Sequence, residues 1–356
     1  MNIVHIVPSL DPSEAVGNYA ILLAKALHVQ TQIPNRMVLA RSSDTNCGFP
    51  VMVLSPHTPE AVAAALTDEC DSNGVVIAHL SHYGFATRGT PFWLLRGVER
   101  WISLRPPGRL IVVFHELYAL GPPWSSSFWL SPLQKWITRR FLEICDFAVT
   151  TTERYETALL NWRPNAALRR LPVFSLVGEP AFVLPAADRA SVAVVFGSTG
   201  VEDRLYGRMA STLVEIITKL NIERIIDIGP RLRAVPAMIG QVPVEVLGAL
   251  PADCISKILQ DARYGLIAYP SDMLEKSTIF AAYAAHGVIP LLLWPNTRVP
   301  DKEALFLCNE AIRSLSPGES LILQARLTAW YRAHSTAHQI KAWEDLIREV
   351  QVRCVS

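Results

Sequence analysis

Short apolar runs alternate with longer amphipathic stretches along almost the whole chain, and this alternation stops once and then restarts. NIVHIV at 2–7 reads as a buried strand, and NYAILLAKALH at 18–28 reads as a helix. Further strands are expected near 75–79 (VVIAH), 110–114 (LIVVF) and 147–151 (FAVTT). Helices are expected between them, near 92–103, 130–144 and 153–162. Strands that alternate with helices imply βαβ units and a parallel sheet. Residues 176–191 (LVGEPAFVLPAADRAS) lose the periodicity and carry Pro, Gly and Asp, which sets a domain boundary there.

The second run begins with the strand VAVVFG at 192–197 and a helix near 204–220. RIIDIG at 224–229, VEVLG at 244–248, YGLIAY at 264–269 and VIPLLLW at 288–294 are its other strands, with helices at 252–262 and 276–285. Residues 319–353 read as two closing helices. The expected fold is therefore α/β, with two Rossmann-like domains facing across a cleft. Their expected extents are 1–180, joined by a C-terminal helix at about 336–356, and 181–335. In open α/β sheets, ligands bind beyond the carboxyl ends of the strands, so the loops there are the places to look for chemistry.

Apolar residues make up 50% of the 356 residues and charged residues 18%, which excludes a disordered chain. Lys+Arg 33 against Asp+Glu 32 leaves a net charge of +1, and the absence of a global positive field leads to the expectation of no nucleic-acid partner. MNIVHIVPS reads as a first strand and not as a signal peptide, and no apolar window reaches membrane-spanning length. Cys47, Cys70, Cys145, Cys254, Cys308 and Cys354 form no CxxC pair, so no zinc knuckle or redox motif is expected, and a cytoplasmic location is. FWLSPLQKWITRRF at 128–141 is basic and amphipathic. A core-facing helix with a basic outer face is the ordinary reading, and a peripheral membrane contact at the inner membrane face is the functional one.

Five loops carry candidate residues. Gly17 starts the first helix, where a glycine lets a ligand approach the backbone and helix amides meet an anion. HLSHYGFATRG at 79–89 clusters His79, His82, Tyr83 and Arg88, and polar aromatics at a strand end suit hydroxyl recognition. His115 sits just past an apolar strand with Glu116 beside it, placed to bond a substrate or move a proton near neutral pH. Gly197, Ser198, Thr199 and Gly200 make a small strand-to-helix turn, and Arg204 and Arg208 follow it. That arrangement can cradle a diphosphate. Lys276, Ser277 and Thr278 open a small-residue helix and form an anion-friendly start. Each has a plain structural alternative: an ordinary loop, a capping histidine, a surface arginine pair, a helix cap.

The opening MNIVHIVPSLDPSEAVGNYAILLAKAL, FHELY at 114–118 and YPSDMLEKSTIFAAYAAHGVIP at 269–290 together resemble the family-4 retaining glycosyltransferases of the GT-B fold. The resemblance covers nearly the whole chain in its order of elements. It implies transfer of a sugar from a nucleotide-diphosphate sugar to an acceptor hydroxyl on a sugar, glycan or lipid-linked compound, with retention, without a metal or cofactor, in polysaccharide or glycoconjugate synthesis. It implies catalytic roles for His115 and Glu275. Gly17, Gly197, Ser198, Thr199, Arg204, Lys276, Ser277 and Thr278 would bind the donor, and His82, Tyr83 and Glu116 the acceptor. One departure stands out. The family carries two glutamates eight positions apart before the helix-ending glycine; counted back from Gly287 they fall on Leu274 and Ala282, with Glu275 one place away. A non-catalytic GT-B-like protein that binds a sugar nucleotide or a partner is the alternative that departure supports. An epimerase or hydrolase on the same plan is a further one.

Overall fold

A computed structural model of the chain describes all residues except 12–13, 105–108, 198–199, 201–202, 232, 296–304, 309–314 and 353–356. Two units divide the chain, one of residues 1–172 with 339–356 and one of residues 173–338.

The first unit runs β1 (Ile3–Val7), α1 (Ala15–Thr31), β2 (Asn35–Leu39), β3 (Val51–Val53), α2 (Pro59–Glu69), β4 (Val75–Leu80), the single turn α3 (His82–Phe85), α4 (Phe92–Leu104), β5 (Leu110–Phe114), α5 (Ser126–Ile144), β6 (Phe147–Thr150), α6 (Glu153–Trp162) and β7 (Leu168–Arg170). Its seven strands lie in the order β3-β2-β1-β4-β5-β6-β7, each parallel to its neighbours. Helix starts are marked by side chains that accept first-turn amides: Thr58 for α2, Ser125 for α5 and Thr152 for α6. Alternate residues of β1, β4 and β5 (Val4 and Ile6; Val76, Ala78 and Leu80; Leu110, Val112 and Phe114) pack with Trp101 and Phe141 into one core. The opposite face carries Val7, Met37 and Leu39 under α1.

The second unit runs β8 (Ala190–Phe196), a π-type turn (Asp203–Arg208), α7 (Ala210–Lys219), β9 (Arg224–Ile228), β10 (Met238–Ile239), β11 (Val242–Gly248), α8 (Ala252–Asp261), β12 (Ala262–Ile267), a 3-10 turn (Ser271–Lys276), α9 (Thr278–His286), β13 (Ile289–Leu292), β14 (Leu307–Cys308) and α10 (Pro317–Arg332). The strand order is β10-β11-β9-β8-β12-β13-β14, parallel except for the β10–β11 pair. The last helix, α11 (Thr336–Val352), contributes its residues from Gln339 onward to the first unit, where Trp343 and Val350 are fully buried. The expected α/β class with two parallel-sheet domains is what the chain forms.

The basic amphipathic stretch is helix α5. Ile137 and Phe141 face the core, while Trp129 is 70% exposed. Its cations are engaged locally: Lys135 lies over the Tyr118 ring, Arg139 over the Trp162 ring, and Arg140 pairs with Glu99 and Glu143. Among the described residues no helix is long and apolar enough to cross a membrane.

Candidate functional site

Each sheet has one point where the strand order reverses: between β1 and β4 in the first unit, and between β8 and β12 in the second. Loops leaving the carboxyl ends of such neighbouring strands diverge and open a crevice. The five loops singled out in the sequence follow β1, β4, β5, β8 and β12.

In the first unit, Gly17 lies in the first turn of α1 and is buried. A Cβ there would sit 2.1 Å from the carbonyl oxygen of Ser9, so the residue is glycine because two backbones meet. His82 is 1% exposed, and its Nε2 lies 3.0 Å from the Leu117 carbonyl and 2.9 Å from the Thr138 hydroxyl. Burial pushes its pKa down to about 4. The sequence expectation placed His82 against an acceptor; here it is a core residue that ties α3 to α5. Tyr83, its neighbour, is exposed. Glu116 and His115 are half-buried just past β5. Nε2 of His115 lies 3.2 Å from Nδ1 of the buried His79. The two rings are stacked, and Tyr19 of α1 meets both edge-on.

In the second unit, Gly197 leaves β8 and its carbonyl accepts from Arg231 at 2.9 Å. Arg231 also lies 2.9 Å from Asp227, a fully buried carboxylate in β9 that accepts from the Tyr206 hydroxyl at 2.6 Å. Burial, then the Asp227 carboxylate, raises the Tyr206 phenol and keeps it a donor. This network fixes the root of the expected diphosphate turn; Ser198 and Thr199 themselves lie outside the described residues. Arg204 sits in the π-type turn that follows, and its Nε is buried with no hydrogen-bond partner among the described residues. Arg208 is exposed. The expected helix over 204–220 therefore starts as a wider turn, closed by a Met209 amide bond to the Arg204 carbonyl.

After β12, Glu275 and Lys276 lie half-buried on the 3-10 turn. Ser277 is the N-cap of α9: its hydroxyl accepts from the Phe280 amide at 3.2 Å. That use spends the side chain on the helix, which leaves the amides of Thr278 and Ile279 as the first-turn donors. The family's second glutamate position is Ala282, fully buried in α9 beside Tyr283. The Tyr283 hydroxyl lies 2.9 Å from Val194 O and 3.2 Å from Leu266 O, bridging β8 and β12 at the reversal point.

Sequence reading missed Asp227, Arg231 and Tyr206, and it missed His5. The signals were present: an acid inside the apolar run RIIDIG, and a histidine inside NIVHIV. Among the described residues no group of three or more His, Cys, Asp or Glu is arranged to hold a metal ion.

No protein-family model matches the sequence, and no curated protein does. Solved structures do. An alpha-glucosyltransferase in complex with UDP and a 13-mer DNA containing an HMU base is 10% identical, covers 98% of this chain and 99% of its own, and has a TM-score of 0.62. The pneumococcal O-GlcNAc transferase GtfA in complex with UDP and GlcNAc is also 10% identical, at 98% and 99% coverage and a TM-score of 0.63. Anabaena HepE in complex with UDP-glucose is 10% identical, at 100% and 98% coverage and a TM-score of 0.54. The fold is thus that of the GT-B glycosyltransferases along the full chain. One expectation is overturned. The charge balance excluded a nucleic-acid partner, yet a chain of this fold is held on DNA. A net charge near zero averages over the surface, and association depends on where the charges sit.

Proposed function

We propose that this protein transfers a sugar from a nucleoside-diphosphate sugar to an acceptor hydroxyl, with retention at the anomeric carbon, as in the family-4 enzymes it resembles. The observation that carries the reading is the buried Nε of Arg204, without a hydrogen-bond partner among the described residues, in the turn that follows β8 at the reversal point of the second sheet. A buried guanidinium N–H without a protein acceptor among the described residues is costly, and a bound anion would satisfy it. Lys276 and the amides of Thr278 and Ile279 add positive potential from the neighbouring loop.

In this reading the bond from the anomeric carbon to the diphosphate breaks, and the acceptor oxygen bonds to that carbon on the same face. The acceptor's proton passes to the departing phosphate oxygen. Charge that develops on the diphosphate is met by fixed N–H groups and cations, which need no reorganisation as the bond opens. Glu275 bonds sugar or ribose hydroxyls of the donor, and His115 with Glu116 and Tyr83 serves the sugar and acceptor side.

The test is a thermal-shift and donor-hydrolysis panel of nucleotide sugars, followed by acceptors that include sugars and hydroxymethylated DNA. Stabilisation by a nucleoside diphosphate that Arg204→Ala lowers at least tenfold in affinity, with turnover lost in His115→Ala, supports the reading. Binding with no turnover on any acceptor moves the protein to the non-catalytic class. No shift with any nucleotide refutes both.

A further inference from the structure

The exposed tryptophans among the described residues, Trp124, Trp129 and Trp136, all lie on α5 and the loop that leads into it. Trp124 in the loop is 87% exposed. Phe128 and Leu133 of α5 and Phe92 at the start of α4 are exposed as well. These side chains are neighbours. The Phe128 and Trp129 rings meet edge-on at 5.4 Å, and the Phe92 ring lies 5.9 Å from that of Trp136. Trp129 donates from Nε1 to the Pro123 carbonyl at 2.9 Å, which folds the loop back onto the helix. One exposed apolar side chain is ordinary; a contiguous set of this size marks an interaction surface.

Helix geometry explains the grouping. Gln134, Ile137, Thr138, Phe141 and Leu142 of α5 are buried. At about 100° per residue, Phe128, Trp129, Pro132, Leu133 and Trp136 fall on the opposite side, within an arc of about 140°. One turn further on, the same arc carries Arg139 and Arg140, and Lys135 borders it. Between Glu116 and Glu143 the chain holds these three cations and no acid. Glu99 and Glu143 neutralise Arg140. Lys135 and Arg139 rest instead on the Tyr118 and Trp162 rings, which hold them in place and leave their charge standing; among the described residues no acid pairs with either. The loop also meets much of its own hydrogen-bonding need. Ser125 donates to the Pro122 carbonyl at 2.7 Å and accepts from the Phe128 amide at 3.3 Å, and its hydroxyl lies 2.9 Å from that of Ser127. Such a loop can leave bulk water without stranding those groups.

We propose that this face docks the first unit on a membrane surface that carries anionic headgroups. Trp124, Phe128, Trp129 and Leu133 sit at the boundary between headgroups and acyl chains, and Lys135 and Arg139 lie among the headgroup phosphates. Tryptophan suits that boundary because its ring is apolar and its N–H is not. An apolar stripe followed by cations is the charge pattern an anionic bilayer surface complements. A second copy of this chain fits less well, because a symmetric contact sets the patch against itself and brings cations of the same sign together. The inference uses the surface of this unit alone and does not rest on the transferase reading.

The test is sedimentation of the full chain with vesicles of phosphatidylcholine and phosphatidylglycerol in equal parts, and with phosphatidylcholine alone. Expected are binding to the mixed vesicles, weak binding to the neutral ones, and loss of the difference as salt is raised. Trp124→Ser with Trp129→Ser should weaken binding to the mixed vesicles at least tenfold. Lys135→Gln with Arg139→Gln should bring it close to the neutral level. Lipids brominated in their acyl chains should quench the tryptophan fluorescence of the wild-type chain. Should the tryptophan pair fail to fold, the cation pair and the quenching decide. No binding to the mixed vesicles, or binding that the substitutions leave unchanged, overturns the proposal. A dimer in sedimentation velocity, or DNA binding, that the tryptophan substitutions abolish while vesicle binding is absent assigns the face to a second copy or to nucleic acid and overturns it equally.

Discussion

Arg231 holds the carbonyl oxygen of Gly197 at 2.9 Å while its other terminal nitrogen lies 2.9 Å from Asp227, so one buried side chain joins the ends of β8 and β9. The two side chains are 6% and 0% exposed. Removing either partner strands a charge in a dry site. Arg231→Met is expected to cost on the order of 3–5 kcal/mol of stability, and Arg231→Met with Asp227→Leu clearly less than the two single changes together. Urea unfolding of the three variants measures this; additive costs would show that the pair is not coupled.

Gly17 gives a second expectation. Its Cβ position is 2.1 Å from backbone, and backbone cannot rotate away as a side chain can. Gly17→Ala should destabilise the protein by about 1–3 kcal/mol. Gly207, with nothing within 4 Å of its Cβ position, is the control: Gly207→Ala should be neutral or slightly stabilising. Equal effects in melts of the two variants would refute the packing account.

The sequence made the architecture legible because buried parallel strands are continuous apolar runs, and these stand out at β1, β4, β5, β8, β12 and β13. What escaped notice were β2, an inner strand that opens with the polar pair Asn35-Arg36, and β3, β7, β10 and β14, which are too short for periodicity to show. The site was legible as loops, since carboxyl-end loops follow from strand order. Side-chain fate within them was not. His82 and His115 look alike in sequence, each just past an apolar strand, yet one is packed under α5 and the other stacks on the buried His79. Ser277 reads equally as an anion ligand and as a helix cap until the Phe280 amide is seen to use it.

Arg189 shows the same limit in the second unit. It lies in the stretch that looked like a plain linker, yet it is 4% exposed and donates to the carbonyls of Leu184, Leu259, Ala262 and His286. Burial lowers its pKa to about 10, so it stays charged at neutral pH. Arg189→Met would remove the donor from the Leu259, Ala262 and His286 oxygens, while Leu184 keeps its bond from Gln324, and should cost about 3 kcal/mol or more. Arg189→Lys, with one compact ammonium in place of the fork, should recover only part. A melting temperature unchanged in Arg189→Met would remove the structural role.

Buried histidines set the response to acid. His5 and His82 are held down to about 4 by burial, and His79 is held well below the ordinary imidazole range by burial and its two histidine neighbours. In the unfolded chain each titrates near 6.5. Below that pH the unfolded state binds protons that the folded state refuses, so stability falls as pH drops from about 6.5 toward 4. His5 and His82 should each remove about 2 kcal/mol between pH 7.5 and pH 5, and His79 adds in the same direction. Urea unfolding at the two pH values measures the total. His82→Gln, which keeps a donor for the Leu117 carbonyl but cannot take up a proton, should shrink the difference by about that amount. A His82→Gln protein as acid-sensitive as the parent would mean that His82 is charged in the fold, and the burial argument for it would be lost.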